Sequence, residues 1–130
     1  MAPAPSSIRI LIADDQRLFA DAVSALLEGE SRIEVAGRAR DGVEAVELAR
    51  SLKPDVILMD ISMPRMDGFD AAERIRAEDP DARILILSGS NSREDVDRSR
   101  EAGASGYITK DRIASELVAA IVEVTRRRLP

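Results

Sequence analysis

The stretch Val56-Ile57-Leu58-Met59-Asp60-Ile61-Ser62-Met63-Pro64-Arg65-Met66-Asp67-Gly68 decides the fold. Its first four residues are apolar without alternation, the pattern of a strand buried on both faces of a parallel sheet. Asp60 ends that run, and a carboxylate on a buried strand end needs compensation. Pro64 breaks the chain, and Asp67 before Gly68 is a candidate N-cap for a helix that packs Phe69, Ala72 and Ile75 and stops before Pro80.

The same alternation extends in both directions. Strands are expected at residues 8–13, 33–39, 56–59, 83–87 and 106–109, with the first, third and fourth central because they are apolar on both faces. Between them the helical period places Phe19, Ala22, Val23, Leu26 and Leu27 on one stripe of residues 16–28, with Gly29 as C-terminal cap. A second helix over 42–51, capped by Asp41, stripes Val43, Val46, Ala49 and Leu52. A fourth, over 92–102, is mostly charged with Val96 as its main apolar anchor, so it is expected to be the element easiest to shift. The last, over 113–127, carries Ile113, Leu117, Ala120, Ile121 and Val124; Val118 and Val122 widen its apolar arc, for a partner or for flank packing. Strands alternating with helices make this an α/β domain.

Composition narrows the chemistry. The 130 residues, 45% hydrophobic and 33% charged, fit one core-forming domain. No apolar run approaches the ~20 residues of a membrane span, and residues 1–7 lack the features of a signal peptide, so a flexible tail and a cytoplasmic location are expected. Cysteine and histidine are both absent, which excludes disulfides, serine and cysteine triads, the usual zinc sites and a phosphohistidine on this chain. With 19 basic against 24 acidic residues the net charge is −5, and Phe19, Phe69 and Tyr107 are the only aromatics, which disfavours direct nucleic-acid binding.

In a doubly wound sheet, ligands bind beyond the carboxyl ends of the strands. Those ends carry Asp14-Asp15, Asp60, Ser88 and Lys110, whereas Arg40-Asp41 after the second strand reads as structural. Taken singly, Asp14 or Asp15 could cap a helix, Ser88 could start a turn and Lys110 could be a surface charge. Together they make a site. Three converging carboxylates call for a hard divalent cation, and Mg2+ suits oxygen ligands. An aspartate can then act as phosphoryl nucleophile, with Lys110 as a point charge and the Ser88 hydroxyl as donor to the phosphoryl oxygens.

Asp14-Asp15, Asp60-x-x-Met-Pro-x-Met-Asp-Gly68, Ser88 and Lys110, in this order and spacing, resemble a two-component response-regulator receiver domain over residues 8–125. Asp14-Asp15-Gln16-x-Leu18-Phe19, Ser88-Gly-Ser90 and Gly106-Tyr107-Ile-Thr-Lys110-Asp111 are similar to the NarL/FixJ (LuxR-type) subfamily. The resemblance implies a flavodoxin-like (CheY-like) three-layer αβα fold with a five-stranded parallel sheet of order 2-1-3-4-5. It implies Asp60 as phosphoacceptor. Asp15 and the backbone carbonyl of Ser62 become direct Mg2+ ligands with Asp60, Asp14 acts through water, and Lys110 contacts the phosphoryl group. Ser88 and Tyr107 match the family's switch pair, with the fourth helix, fifth strand and fifth helix as switch surface. Ser62 and Ser90 flank the site and are expected to tune loss of the phosphoryl group.

The partners implied are a sensor histidine kinase and a second copy of the chain. DNA is reached only through a C-terminal helix-turn-helix domain that this sequence does not contain, with residues 126–130 read as the start of a linker or tail. Many receivers have proline after the lysine; Asp111 stands there instead, so a trans Lys110–Asp111 bond is expected. The expected activity is that of a switch that assists its own phosphorylation and dephosphorylation, not of an enzyme acting on external substrates. A stand-alone receiver and a phosphorylation-independent docking or dimer module are the alternatives. A phosphatase turning over phosphoesters through Asp60 would need a general acid and substrate loops, and a flavodoxin would need more aromatics than three.

Overall fold

The structure is a computed structural model that describes residues 7–126. Five parallel strands, β1 (Ile8–Ala13), β2 (Ile33–Ala39), β3 (Val56–Asp60), β4 (Ile84–Ser88) and β5 (Gly106–Thr109), form one sheet in the order β2-β1-β3-β4-β5. The helices are α1 (Arg17–Glu28), α2 (Gly42–Leu52), α3 (Gly68–Glu78), α4 (Arg93–Glu101) and α5 (Ile113–Arg126). The expected class and strand order are those observed.

The apolar runs explain the layers. Every residue of β3 and β4 is buried, and their alternating side chains feed two separate cores. Ile10, Ile12, Leu58, Leu85 and Leu87 pack with Leu27 of α1 and Leu117 and Ile121 of α5. Leu11, Ile57, Met59, Ile84 and Ile86 pack on the other face with Val46 of α2 and Phe69 and Ile75 of α3. Trimming a fully buried Leu such as Leu58 to Ala costs about 2–5 kcal/mol, so these central strands fix the geometry of everything at their ends.

Local signals set the helix starts. Asp41 accepts from the Glu44 amide at 2.8 Å, and Asp67 accepts from the Asp70 amide at 2.9 Å. Both are the N-caps the sequence indicates. Helix α1 instead begins at Arg17, with Gln16 in the cap position and no side-chain cap bond. Gly29 does follow α1, but with φ −72° it remains right-handed and supplies no left-handed turn. β3 gains Asp60 and β4 runs one residue later than expected, because the ladder continues through the pair Asp60–Leu87 and ends at Ser88–Thr109.

Helix α4 departs from its expected anchor. Val96 is only half-buried, and the side chain that α4 buries is Ser99, whose hydroxyl donates to the Val96 carbonyl at 2.6 Å. Charge holds the helix as well: Arg98 pairs with Glu73 at 2.7 Å and Asp70 at 3.2 Å on α3, and lies 5.4 Å from the centre of the Phe69 ring. On α5, Val118 packs against the core of its own domain, which favours flank packing for that residue. There is no cis peptide among the described residues, so Lys110–Asp111 is trans, opening a 3-10 turn (Lys110–Arg112) into α5. Residues 1–6 of the expected N-terminal tail and residues 127–130 at the C-terminus lie outside the described residues, and Arg126 is the last described residue of α5.

Candidate functional site

Strand register brings the acids together. Ala13 lies opposite Met59, so the next residues, Asp14 and Asp60, leave the sheet side by side. Asp60 lies opposite Leu87, and Ser88 opposite Thr109, which carries Ser88 and Lys110 to the same edge. The carboxylate oxygens of Asp14, Asp15 and Asp60 come within 4.8 Å of one another. Lys110 Nζ is 3.3 Å from Asp60 Oδ1, 3.5 Å from Asp14 Oδ2 and 3.5 Å from Gln16 Oε1.

Burial gives this cluster its character. Asp14, Asp60 and Ser88 are each only 5% exposed, while Asp15 is on the surface. Desolvation pushes the Asp60 carboxyl up to about 6, helped by the Asp14 charge and opposed by Lys110. Burial also raises Asp14, against the Gln16 amide that donates to its Oδ1 at 2.8 Å. Its other oxygen, Oδ2, is buried without a hydrogen bond, although it stands at ion-pair distance from Lys110.

These features fit a divalent cation. Three carboxylates and one ammonium leave a formal charge of −2, which a doubly charged hard ion would cancel. Asp14 Oδ2 has no hydrogen bond and only the 3.5 Å ion pair with Lys110, which leaves acceptor capacity that bound water or metal can satisfy. Ser62 lies exposed in the loop two residues after Asp60. That loop is pinned: the Gly68 amide donates to the Ile61 carbonyl at 2.8 Å. A side chain at Gly68 would place a Cβ 2.2 Å from the Asp60 carbonyl oxygen, so only glycine lets α3 start this close to the end of β3.

On the β4–β5 side, the Ser88 Oγ accepts from the Ser90 amide at 3.0 Å. The Tyr107 hydroxyl donates to the Ser90 carbonyl at 2.5 Å, and its half-buried ring packs against the α2–α3 face. Ser90 also uses its own Oγ, which accepts from the Ser92 amide at 3.1 Å just before α4. Asp41, by contrast, stays structural: it caps α2 and pairs with Arg65 at 3.0 Å, and these hydrogen bonds, that of Glu44 first, hold its carboxyl below the usual range. Two residues near the cluster carry no role in the sequence reading, Gln16 and Phe19. Phe19 reads there as core, yet its ring centre lies 4.2 Å from Lys110 Nζ. Its position four residues after Asp15, in the first turn of α1, is the signal that could have placed it at the site.

Comparison with known proteins identifies the family. Residues 10–122 match the family model of the response regulator receiver domain. The transcriptional regulatory protein MctR of Rhizobium johnstonii is 44% identical over 117 residues, covering 90% of this chain and 55% of the relative. YxjL of Bacillus subtilis, an uncharacterized transcriptional regulatory protein, is 40% identical over 119 residues, 92% of this chain and 55% of its own. The chain thus spans about half the length of the curated relatives it matches. Among solved structures, the signal receiver domain of the response regulator NarL from Mycobacterium tuberculosis superposes with TM-score 0.90 at 33% identity, covering 95% of this chain and all of that one. A LuxR-family two-component response regulator from Aurantimonas sp. gives TM-score 0.88 at 36% identity, covering 92% of this chain and 86% of that one. The chain belongs to the response regulator receiver domain family, and its relatives there include NarL/LuxR-type regulators.

Proposed function

We propose that this domain is a phosphorylation-driven switch of a two-component system in which Asp60 accepts a phosphoryl group. The observation that carries this reading is the buried Asp60 carboxylate, held 3.3 Å from Lys110 and beside Asp14 and Asp15 at the carboxyl edge of the sheet. An Asp60 oxygen attacks phosphorus in line, the bond from phosphorus to the donor atom breaks, and the donor leaves with the electron pair. The product is an acyl phosphate on Asp60. This sequence holds no histidine, so the donor in this reading is a sensor histidine kinase or a small phosphodonor.

Asp15, Asp60 and the Ser62 carbonyl would hold Mg2+ directly, with Asp14 through water. Mg2+ there supplies charge neutralisation for the carboxylates and for the phosphoryl oxygens. Lys110 contributes a point charge to those oxygens, and Ser88 a hydroxyl donor. The phosphoryl group carries a charge of about −2 in place of the single negative charge of the carboxylate, which draws Ser88 inward and, through Tyr107, alters the α4–β5–α5 surface. Output is a changed contact with a second copy or with an effector. The curated relatives are transcriptional regulatory proteins of which the matched segment is 55%, which supports a further, DNA-binding effector part. Among the described residues no helix is long and apolar enough to cross a membrane.

Incubation with acetyl phosphate and Mg2+ tests the acceptor: an acid-labile phosphoryl mass should appear and be lost in Asp60→Ala. Full retention of that mass in the variant would remove Asp60 from this role. Ser62 and Ser90 set the rate of hydrolysis in this reading, so Glu or Lys at either position should change the phosphoryl half-life; an unaltered half-life would exclude both.

A further inference from the structure

We propose that Phe19 is the positioning residue for Lys110, its ring face holding the ammonium beside the phosphoacceptor. The inference rests on the phosphoacceptor reading of Asp60.

Lys110 has a flexible four-carbon stem and three donors. It begins a short 3-10 turn that buries none of its three residues, so that turn does little to fix where the ammonium points. Around Nζ stand three oxygens, from Asp60 at 3.3 Å, Asp14 at 3.5 Å and Gln16 at 3.5 Å. All three are longer than an ideal hydrogen bond. The Phe19 ring supplies a further contact at 4.2 Å, well inside the ~6 Å range of a cation–π interaction. Unlike Lys110, the ring sits on a rigid support: Phe19 is in the first turn of α1 and packs against the core shared by α1, α5 and the sheet.

The ring matters most when the site is loaded. A cation held by Asp15, Asp60 and the Ser62 carbonyl, with Asp14 through water, would offset the charge of the two carboxylates that attract the ammonium in the metal-free domain. The quadrupole of the ring is unchanged by that event. Phe19 therefore keeps the charge of Lys110 at the site when the carboxylates no longer do, ready for the phosphoryl oxygens. Apolar packing alone would require only a side chain of similar volume; positioning requires the negative ring face.

That difference is measurable. Phe19→Leu, Phe19→Tyr and site-specific mono-, di- and trifluorophenylalanine at position 19 should be compared in the full chain. The readouts are the rate of acetyl phosphate uptake at saturating Mg2+, the Mg2+ affinity, and the NMR ring-current shift of the Lys110 ε-methylene. Phe19→Leu should slow uptake about ten-fold with Mg2+ affinity nearly unchanged and the upfield Lys110 shift lost. Tyr should restore both rate and shift, and the logarithm of the rate should fall steadily with each fluorine. A rate indifferent to fluorination, or Leu as fast as Phe, would overturn the proposal while leaving Asp60 as acceptor. Should Phe19→Leu fail to fold, the fluorinated series decides alone, because it preserves shape. Failure of the acceptor reading shows differently, as phosphoryl uptake that survives Asp60→Ala; the positioning role then falls with it, and a retained Lys110 shift would leave only a structural contact.

Discussion

The Tyr107 hydroxyl is tied to Ser90, two residues after Ser88: it donates to the Ser90 carbonyl at 2.5 Å, and the Ser90 amide donates to Ser88 Oγ at 3.0 Å. Burial raises the Tyr107 phenol above its usual range, while a hydrogen bond with the Ser88 side chain acts against that shift. Movement of the Ser88 hydroxyl toward a phosphoryl group therefore breaks or drags a bond that also fixes the ring. Tyr107 is the sole tyrosine and tryptophan is absent, so intrinsic fluorescence reports this ring alone. Beryllofluoride with Mg2+ should change the Tyr107 emission. Ser88→Ala should retain phosphoryl uptake on Asp60 yet lose most of the emission change.

Asp60 makes the metal-free domain pH-sensitive. Its carboxyl rises from 3.8 to about 6 on folding, chiefly by desolvation, so between those values the native state binds more protons than the unfolded one. Stability from this group is therefore lost as pH rises through that window, by about 3 kcal/mol once both states are ionised. Asp60→Asn should stabilise the metal-free protein by roughly 1–3 kcal/mol at pH 7.5, with the gain shrinking as pH is lowered toward 4. Urea unfolding at several pH values checks this. Added Mg2+ should stabilise the wild type far more than the variant.

The clamp from Arg98 to α3 sets how firmly α4 rests on the domain. Its ion pairs are partly exposed, worth about 0–1 kcal/mol, and its contact with Phe69 about 0.5–1 kcal/mol. Arg98→Ala should leave global unfolding nearly unchanged but raise amide exchange in α4 about five- to ten-fold. High salt should produce a smaller change of the same sign in the wild type.

Gly68 links the α3 start to Asp60. Because an added Cβ would meet backbone rather than a movable side chain, Gly68→Ala must shift Asp60 or the helix. We expect a loss of about 1–3 kcal/mol of stability and weaker Mg2+ binding, read by thermal unfolding and by titration of the ion. A matched Gly89→Ala, where a Cβ meets nothing within 4 Å, should leave both much closer to the wild type.

The residues that were readable in the sequence are those whose chemistry is local. Unbroken apolar runs place β1, β3 and β4, and Asp41 and Asp67 mark helix starts, because burial on two faces and capping each leave a signature within a few residues. The strand-end acids follow, since parallel strands covered by helices must deliver their ends to one edge. Contacts between distant segments are not readable in this way. Gln16 and Phe19 meet Lys110 across more than ninety positions, and Arg98 finds Asp70 and Glu73 only because α4 lies against α3. Ser99 displaced Val96 as the buried residue of α4 for a similar reason: its hydroxyl is satisfied by the helix's own carbonyl, which makes a polar side chain acceptable inside.

The groups of the proposed site sit on the ends of β1, β3, β4 and β5; β3–β4 and β4–β5 are neighbours in both strand order and sheet, but β1 meets β3 only after the chain has passed through β2 and α2. The chemistry therefore has no partial form: a chain that has not completed its sheet has no acid cluster to load and no ammonium to meet an anion. If Asp60 is the acceptor, an incompletely folded copy should therefore take up no phosphoryl group.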